Sequence, residues 1–338
     1  MAQSRRSFLR LTALGAAVAA GGAGAAEAGA APAPGSAKRG LAKGLTLLTV
    51  RRGGELRLAA RTPKGVLDVQ AAAAALHLPA PATMDEMLQR EEGASVDAVV
   101  EAALASTKAQ GAFVPEGEVV HGPLVSRPEK IVCIGLNYRR HAKEVNMPIP
   151  KTPVLFSKFN TSLNCHRGTI RLPVEVATKF DYEVELVIVM GREAKSVSEA
   201  DALSYVAGYS TGNDFTARDL QLETGGQWLI GKTPDQFAPL GPHLVTADQI
   251  DPDNLKIECR VNGETRQSSN TSDLIFGTRQ IISYVSRHLT LRPGDIIFTG
   301  TPEGVIQGKP PDQRVWLKPG DKLACSLEKL GELTFDLV

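Results

Sequence analysis

Phe180-Asp181-Tyr182-Glu183-Val184-Glu185-Leu186-Val187-Ile188-Val189-Met190 is the stretch whose reading decides the fold. β-Branched and aromatic residues dominate it up to Gly191, which predicts a strand with a glycine stop. Side chains alternate along a strand. Tyr182, Val184, Leu186 and Ile188 therefore share one face, and Glu183, Glu185, Val187 and Val189 the other. Both faces are apolar except for two neighbouring acids. Burying one unpaired carboxylate is costly, and burying two adds repulsion. Two arrangements relieve this. Either the acids form half of a site for a hard, oxygen-preferring divalent cation, or their face looks at water beside Lys or Arg partners.

Working outward, a third acid lies in Tyr209-Ser210-Thr211-Gly212-Asn213-Asp214-Phe215-Thr216-Ala217-Arg218-Asp219-Leu220-Gln221, which reads as a strand end turning into a helix. Asp214 falls near the expected helix start, where an N-cap is its simplest role. If the helix runs on, Asp214, Arg218 and Gln221 share one face, able to serve metal, substrate carboxylate and substrate carbonyl. The alternative is an exposed ion pair contributing a few tenths of a kcal/mol. Upstream, Asn137-Tyr138-Arg139-Arg140-His141-Ala142-Lys143-Glu144 places His141 and Glu144 on neighbouring positions of a helical turn. A carboxylate beside an imidazole fixes its tautomer and raises its basicity, which makes either a water-activating dyad or a surface pair.

Tyr182-Glu183-x-Glu185-Leu186, Asn213-Asp214-x-Thr216-Ala217-Arg218-Asp219-x-Gln221, Gly231-Lys232, Pro239-Leu240-Gly241-Pro242 and Gly294-Asp295-x-x-x-Thr299-Gly300-Thr301-Pro302-x-Gly304-Val305 occur in order from about Lys130 to the C-terminus. This collinear set resembles the fumarylacetoacetate hydrolase family. The resemblance implies Mg²⁺ or Mn²⁺ held by Glu183, Glu185 and Asp214, with His141 and Glu144 on a loop that orders over ligand. It implies Lys232 reaching the substrate or the metal's surroundings, and Arg218, Gln221 and Thr301 holding substrate. Phe159 and Cys165-His166-Arg167 depart from the family pattern beside the pocket; His166 reads as a structural or rim residue.

The 338 residues, 43% hydrophobic, suffice for about two domains, and a net charge of +1 implies no nucleic-acid partner. Cys133, Cys165, Cys259 and Cys325 are too widely spaced for a zinc site or disulfide framework and read as buried thiols. Ser4-Arg5-Arg6-Ser7-Phe8-Leu9-Arg10, followed by a weakly apolar run, resembles a twin-arginine export signal; a basic disordered tail is the alternative. The organisation expected is a signal peptide over 1–30, a linker over 31–44, a small α+β accessory domain over 45–127 and the catalytic domain over 128–338. The class is α+β and β-dominated. The resemblance makes the catalytic domain a mixed β-roll or sandwich around a metal pocket rather than a doubly wound sheet.

The function expected from the resemblance is metal-dependent hydrolysis of a C–C bond in a small 2,4-dioxo acid of acylpyruvate type. His141 with Glu144 would activate water, and the metal with Lys232 would stabilise the leaving enolate. Alternatives on the same site are isomerase, decarboxylase, hydratase or ureidoglycolate-type lyase chemistry. A different class is a non-catalytic metal-dependent binder of small dicarboxylates. The expected partners are a small oxo-acid and a second copy in a homodimer, with no membrane association after signal removal and a periplasmic or otherwise exported location.

Overall fold

The computed structural model describes residues 37–338. In chain order its strands are β1 (Thr46–Arg52), β2 (Glu55–Thr62), β3 (Gly65–Asp68), β4 (Phe113–Val114), β5 (Ile131–Gly135), β6 (Val154–Lys158), β7 (Leu163–Cys165), β8 (Gly168–Ile170) and β9 (Phe180–Asp181). They continue as β10 (Val184–Met190), β11 (Val206–Asn213), β12 (Thr216–Ala217), β13 (Ala238–Thr246), β14 (Lys256–Val261), β15 (Glu264–Asn270), β16 (Ile296–Phe298), β17 (Lys322–Leu327) and β18 (Gly331–Leu337). The helices are α1 (Val69–Leu76), α2 (Met84–Gln89), α3 (Gly93–Ala105), α4 (Arg139–Glu144), α5 (Arg218–Leu222), α6 (Leu229–Lys232) and α7 (Thr278–His288).

One large mixed sheet runs in the order β4-β3-β2-β1-β13-β11-β10-β16-β5-β6, with β7 also pairing β13. A second sheet runs β15-β14-β17-β18-β8, and β12 pairs β9 separately. This is the β-dominated α+β architecture expected, with no doubly wound sheet. The segment 45–127 contributes a hairpin, β1 and β2 joined across Gly53-Gly54. Its first strand also joins the large sheet edge-on, β1 running antiparallel to β13.

The alternation read from the sequence of β10 organises two cores. Val184, Leu186, Ile188 and Met190 pack in the cluster with Ile257, Val261, Leu323, Leu327 and Leu333 of the second sheet. Val187 and Val189 point the other way, into the cluster with Leu47, Leu58 and the helical residues Val96 and Val99. Seven consecutive buried residues make β10 the shared wall of both cores. Fully burying each such aliphatic side chain stabilises by roughly 1.5–3 kcal/mol.

Two expectations are corrected. The central stretch is not one strand, because the chain leaves the ladder at Tyr182-Glu183. The reason is Asp181, whose carboxylate accepts the N–H groups of Tyr182 (2.9 Å), Ile306 (2.9 Å) and Gln307 (3.0 Å) and holds a bend there. Nor is Asp214 at a helix start. It follows the end of β11, its N–H donating to the Glu183 carbonyl at 2.8 Å, and α5 begins only at Arg218 after β12. Asp214, Arg218 and Gln221 therefore do not share a helical face; tertiary packing brings them together.

The cysteines are free thiols, three buried and Cys165 half-buried. Among the described residues no helix is long and apolar enough to cross a membrane. The twin-arginine segment lies outside the described residues.

Candidate metal centre

Glu183 sits in the bend before β10, Glu185 one pleat further on, and Asp214 at the end of the adjacent β11. The antiparallel pairing of Val184 with Asn213 sets the three acids side by side. All three are buried, and one carboxylate oxygen from each lies within 4.8 Å of the others. The pairing expected from the sequence is thus met in space by the third acid.

Buried cations explain how the cluster is tolerated. Lys232 Nζ donates to Glu183 Oε2 and Asp214 Oδ2, both at 2.7 Å. Lys158 Nζ donates to Asp214 Oδ1 at 2.5 Å. Arg218 Nη2 lies 2.6 Å from Glu183 Oε1 and 2.8 Å from Asp181 Oδ2. Burial pushes the Glu183 carboxyl up, but Lys232 and Arg218 outweigh it and hold the group down at about 2. Glu185 differs. Among the described residues no lysine or arginine pairs with it; its Oε2 accepts the Gly300 N–H at 2.7 Å. Burial, Asp214 and Glu183 push its carboxyl well above the usual carboxylate range. Asp181, Glu183, Glu185 and Asp214 against Lys158, Arg218 and Lys232 leave one carboxylate in excess. Three convergent hard oxygen donors with an unpaired acid among them fit a divalent cation such as Mg²⁺ or Mn²⁺.

Two glycines permit this approach. Gly300 has φ +105°, and a Cβ there would lie 2.7 Å from the Asn137 Cβ, so only glycine brings its N–H to Glu185. A Cβ on Gly231 would lie 2.4 Å from the Gln221 N, so its absence lets α6 close on α5 and carry Lys232 inward.

His141 lies on α4 as the spacing predicts, its Nδ1 3.1 Å from Glu144 Oε2. Glu144 Oε1 accepts the Gly304 N–H at 2.9 Å, which anchors the carboxylate from the far side. A carboxylate only accepts, so the proton of a neutral imidazole belongs on Nδ1 and the Nε2 lone pair is free. His141, Glu183, Glu185, Arg218, Gln221 and Lys232 line one cavity of about 250 Å³. Arg218 Nη1 donates to Gln221 Oε1 at 2.9 Å, which leaves the Gln221 amide nitrogen as its remaining donor group. Thr301 also lines the cavity, but its hydroxyl is committed to the scaffold: it donates to the Val184 carbonyl at 3.0 Å and accepts from Gln267 at 2.9 Å.

His166 lies away from this cavity, its Nδ1 accepting the Thr334 N–H at 3.1 Å and its ring edge-on to His121. Sequence reasoning passed over Lys158, a lone cation closing an apolar strand, and Asp181, the acid just before the Tyr-Glu pair.

A mixed β architecture built around a buried cluster of three acids is the frame of an enzyme family, and the family model for the fumarylacetoacetate (FAA) hydrolase C-terminal matches residues 130–338. The chain belongs to the fumarylacetoacetate hydrolase family. It is 46% identical over 269 residues to oxaloacetate tautomerase Fahd2a, mitochondrial, of Rattus norvegicus, covering 79% of this chain and 82% of that protein. A solved 2-hydroxyhepta-2,4-diene-1,7-dioate isomerase from Mycobacterium marinum superposes with TM-score 0.64 at 30% identity, over 87% of this chain and 98% of that one. A fumarylpyruvate hydrolase from Pseudomonas aeruginosa, in complex with Mn²⁺ and pyruvate, superposes with TM-score 0.56 at 34% identity, over 62% and 89%. The rat protein and its bovine and human counterparts are named as mitochondrial, which overturns the expected periplasmic location and export. The adjacent arginines of a short basic N-terminal stretch carry too little information to specify a route by themselves.

Proposed function

We propose that this chain is a divalent-metal-dependent enzyme that interconverts the enol and keto forms of a small 2-oxo dicarboxylic acid of the oxaloacetate class. The observation that carries the reading is the sharing of one small cavity by Glu183 and Glu185 of the acid cluster, Lys232 and His141 with its free Nε2. The 46% identity to a protein named as an oxaloacetate tautomerase supports it. Glu183, Glu185 and Asp214 would hold the ion, which when bound supplies a Lewis acid.

The chain's own residues have separate tasks. Lys232, held protonated by Asp214 and Glu183 against the opposing effect of burial, presents fixed positive charge toward the substrate's oxygens. Arg218 keeps Gln221 oriented so that its amide nitrogen can donate to a substrate oxygen. His141 accepts or returns a proton at Nε2, while Glu144 stabilises the imidazolium that forms. Deep burial of the acids keeps water from competing for these charges.

The same His141–Glu144 pair favours a second reading, hydrolysis of a C–C bond in an acylpyruvate, with water as the group deprotonated. The likeness to the fumarylpyruvate hydrolase supports it. One experiment separates the two. The enzyme with Mg²⁺ is given oxaloacetate enol and acetylpyruvate in parallel, following ultraviolet absorbance and quantifying pyruvate. Accelerated loss of the oxaloacetate enol without pyruvate supports the tautomerase; pyruvate from acetylpyruvate supports the hydrolase. No acceleration of either would refute both.

A further inference from the structure

Gln307 lines the cavity together with His141, Glu183, Glu185, Arg218 and Lys232. It sits half-buried in the short turn Ile306–Gly308. The backbone of that turn is pinned by one buried carboxylate. The Ile306 N–H donates to Asp181 Oδ1 at 2.9 Å and the Gln307 N–H to Asp181 Oδ2 at 3.0 Å. Glu144 packs on the next residue, because a Cβ on Gly308 would lie 2.3 Å from the Glu144 Cδ. The Gln307 side-chain amide, by contrast, has no hydrogen-bond partner among the described residues, so a fixed backbone presents a free donor to the cavity. Asp181 also accepts the Arg218 Nε–H at 2.8 Å, and Arg218 in turn holds Gln221. One carboxylate therefore anchors both amides of the cavity and ties Gln307 to the charged cluster.

A 2-oxo dicarboxylic acid brings a second carboxylate into this cavity, and taking it from water is costly unless a donor meets it. Most polar side chains of the lining are already committed. Glu183 and Glu185 belong to the ion, and His141 must keep Nε2 for the proton. Arg218 spans two acids and Gln221, and the Thr301 hydroxyl serves the scaffold. Lys232 and the Gln221 amide meet the 2-oxo acid group. Two side-chain donors remain, the Gln307 amide and the Trp228 indole N–H. The benzo edge of Trp228 packs at Gly135, where a Cβ would lie 2.5 Å from Cζ3, so the indole nitrogen lies at the opposite end of the ring. Only Gln307 is linked through Asp181 to the charged cluster, within reach of a four-carbon chain held there. A neutral amide also suits the position, since a lysine or arginine would be drawn to the unpaired Glu185 instead.

We propose that Gln307 is a specificity-determining residue of this site: its amide donates to the second carboxylate of the substrate and selects dicarboxylic over monocarboxylic 2-oxo acids. The proposal rests on the tautomerase reading. Hydrogen bonds to a charged acceptor are among the stronger ones, and a substrate lacking that acceptor leaves the amide unpaired. Discrimination of this kind acts on kcat/KM for the dicarboxylate and spares a substrate that never makes the contact.

The test compares the full chain, Gln307→Leu and Trp228→Phe, each with Mg²⁺, on two substrates corrected for spontaneous conversion. Oxaloacetate enol is followed by absorbance, and 2-oxobutanoate, with a methyl in place of the second carboxylate, by deuterium exchange at C3. The parent is expected to favour oxaloacetate in kcat/KM. Gln307→Leu keeps the bulk and removes the donor. It is expected to lower kcat/KM for oxaloacetate about tenfold or more and to leave 2-oxobutanoate within about twofold. Its thermal stabilisation by Mg²⁺ should equal the parent's, which separates a lost contact from a damaged ion site. Should the parent leave 2-oxobutanoate unchanged, the fall on oxaloacetate at parental Mg²⁺ stabilisation supports the proposal. Trp228→Phe should keep the preference. Parental kcat/KM for oxaloacetate in Gln307→Leu, an equal fall on both substrates, or loss of the preference in Trp228→Phe alone would overturn the assignment. Equal kcat/KM for both substrates in the parent overturns it too and leaves the tautomerase reading standing. No acceleration of oxaloacetate by the parent overturns both.

Discussion

Replacing Lys232 by methionine removes the cation that bridges Glu183 and Asp214 at 2.7 Å each. Met keeps the length and the apolar stem, so the loss is almost purely of charge. Breaking a buried ion pair by deleting one partner costs roughly 3–5 kcal/mol, because the other charge is left stranded. Glu183 keeps Arg218 and Asp214 keeps Lys158, so the cost belongs at the lower end, about 3 kcal/mol. For a chain of this size that is about 4–5 °C in Tm. The assay is thermal unfolding with chelator and then with Mg²⁺. With chelator, Lys232→Met unfolds below the parent by that margin. With Mg²⁺ the gap narrows, because the ion meets an excess of negative charge that the parent partly neutralises itself, and stabilisation follows mass action. A variant that unfolds at the parental temperature in chelator, or gains less from Mg²⁺ than the parent does, would refute the charge arrangement argued above.

Glu183→Gln and Asp214→Asn are each expected to abolish activity and remove the thermal stabilisation by Mg²⁺ or Mn²⁺; a triple variant of the acids binding Mg²⁺ as tightly as the parent would contradict the ligand assignment. His141→Ala should lower turnover about 10²–10⁴-fold while keeping Mg²⁺ stabilisation, with Glu144→Gln milder, both read from steady-state enol loss. Burial lowers the His166 and His243 imidazoles from 6.5 to about 4, so the folded protein stays neutral there while the unfolded chain takes up protons. Stability should therefore be full above pH 6.5 and decline towards pH 4, by up to about 3 kcal/mol at His243, and His243→Leu should flatten that decline in denaturant titrations. A homodimer is expected by light scattering at micromolar concentration; a monomer there would count against it.

Much of the site was legible because its logic is local. The period of two placed Glu185 on the face of β10 that carries Val187 and Val189 into the second core, and Glu183, two residues earlier in the bend, still converges with it. The three-residue spacing of His141 and Glu144 survives as a 3.1 Å contact for the same reason, since one helical turn sets it without help from the rest of the chain. Gly300 and Gly231 stood in the quoted motifs, but their roles show only where a Cβ would collide with a distant segment.

By itself, then, the sequence determined the β-dominated class, the acid face of the central strand and the orientation of the imidazole. These follow from backbone periodicity and from the cost of leaving charge unpaired. Only the tertiary structure decided which cations compensate the acids. Lys158 meets Asp214 across 56 positions and Arg218 meets Asp181 across 37, separations that no periodicity encodes. It also decided that Asp214 directly follows a strand rather than starting a helix, that Asp181 breaks the central stretch, and that β1 extends the large sheet. Backbone hydrogen bonds between strands and the burial of charge are satisfied globally, by whichever segment the fold brings within reach.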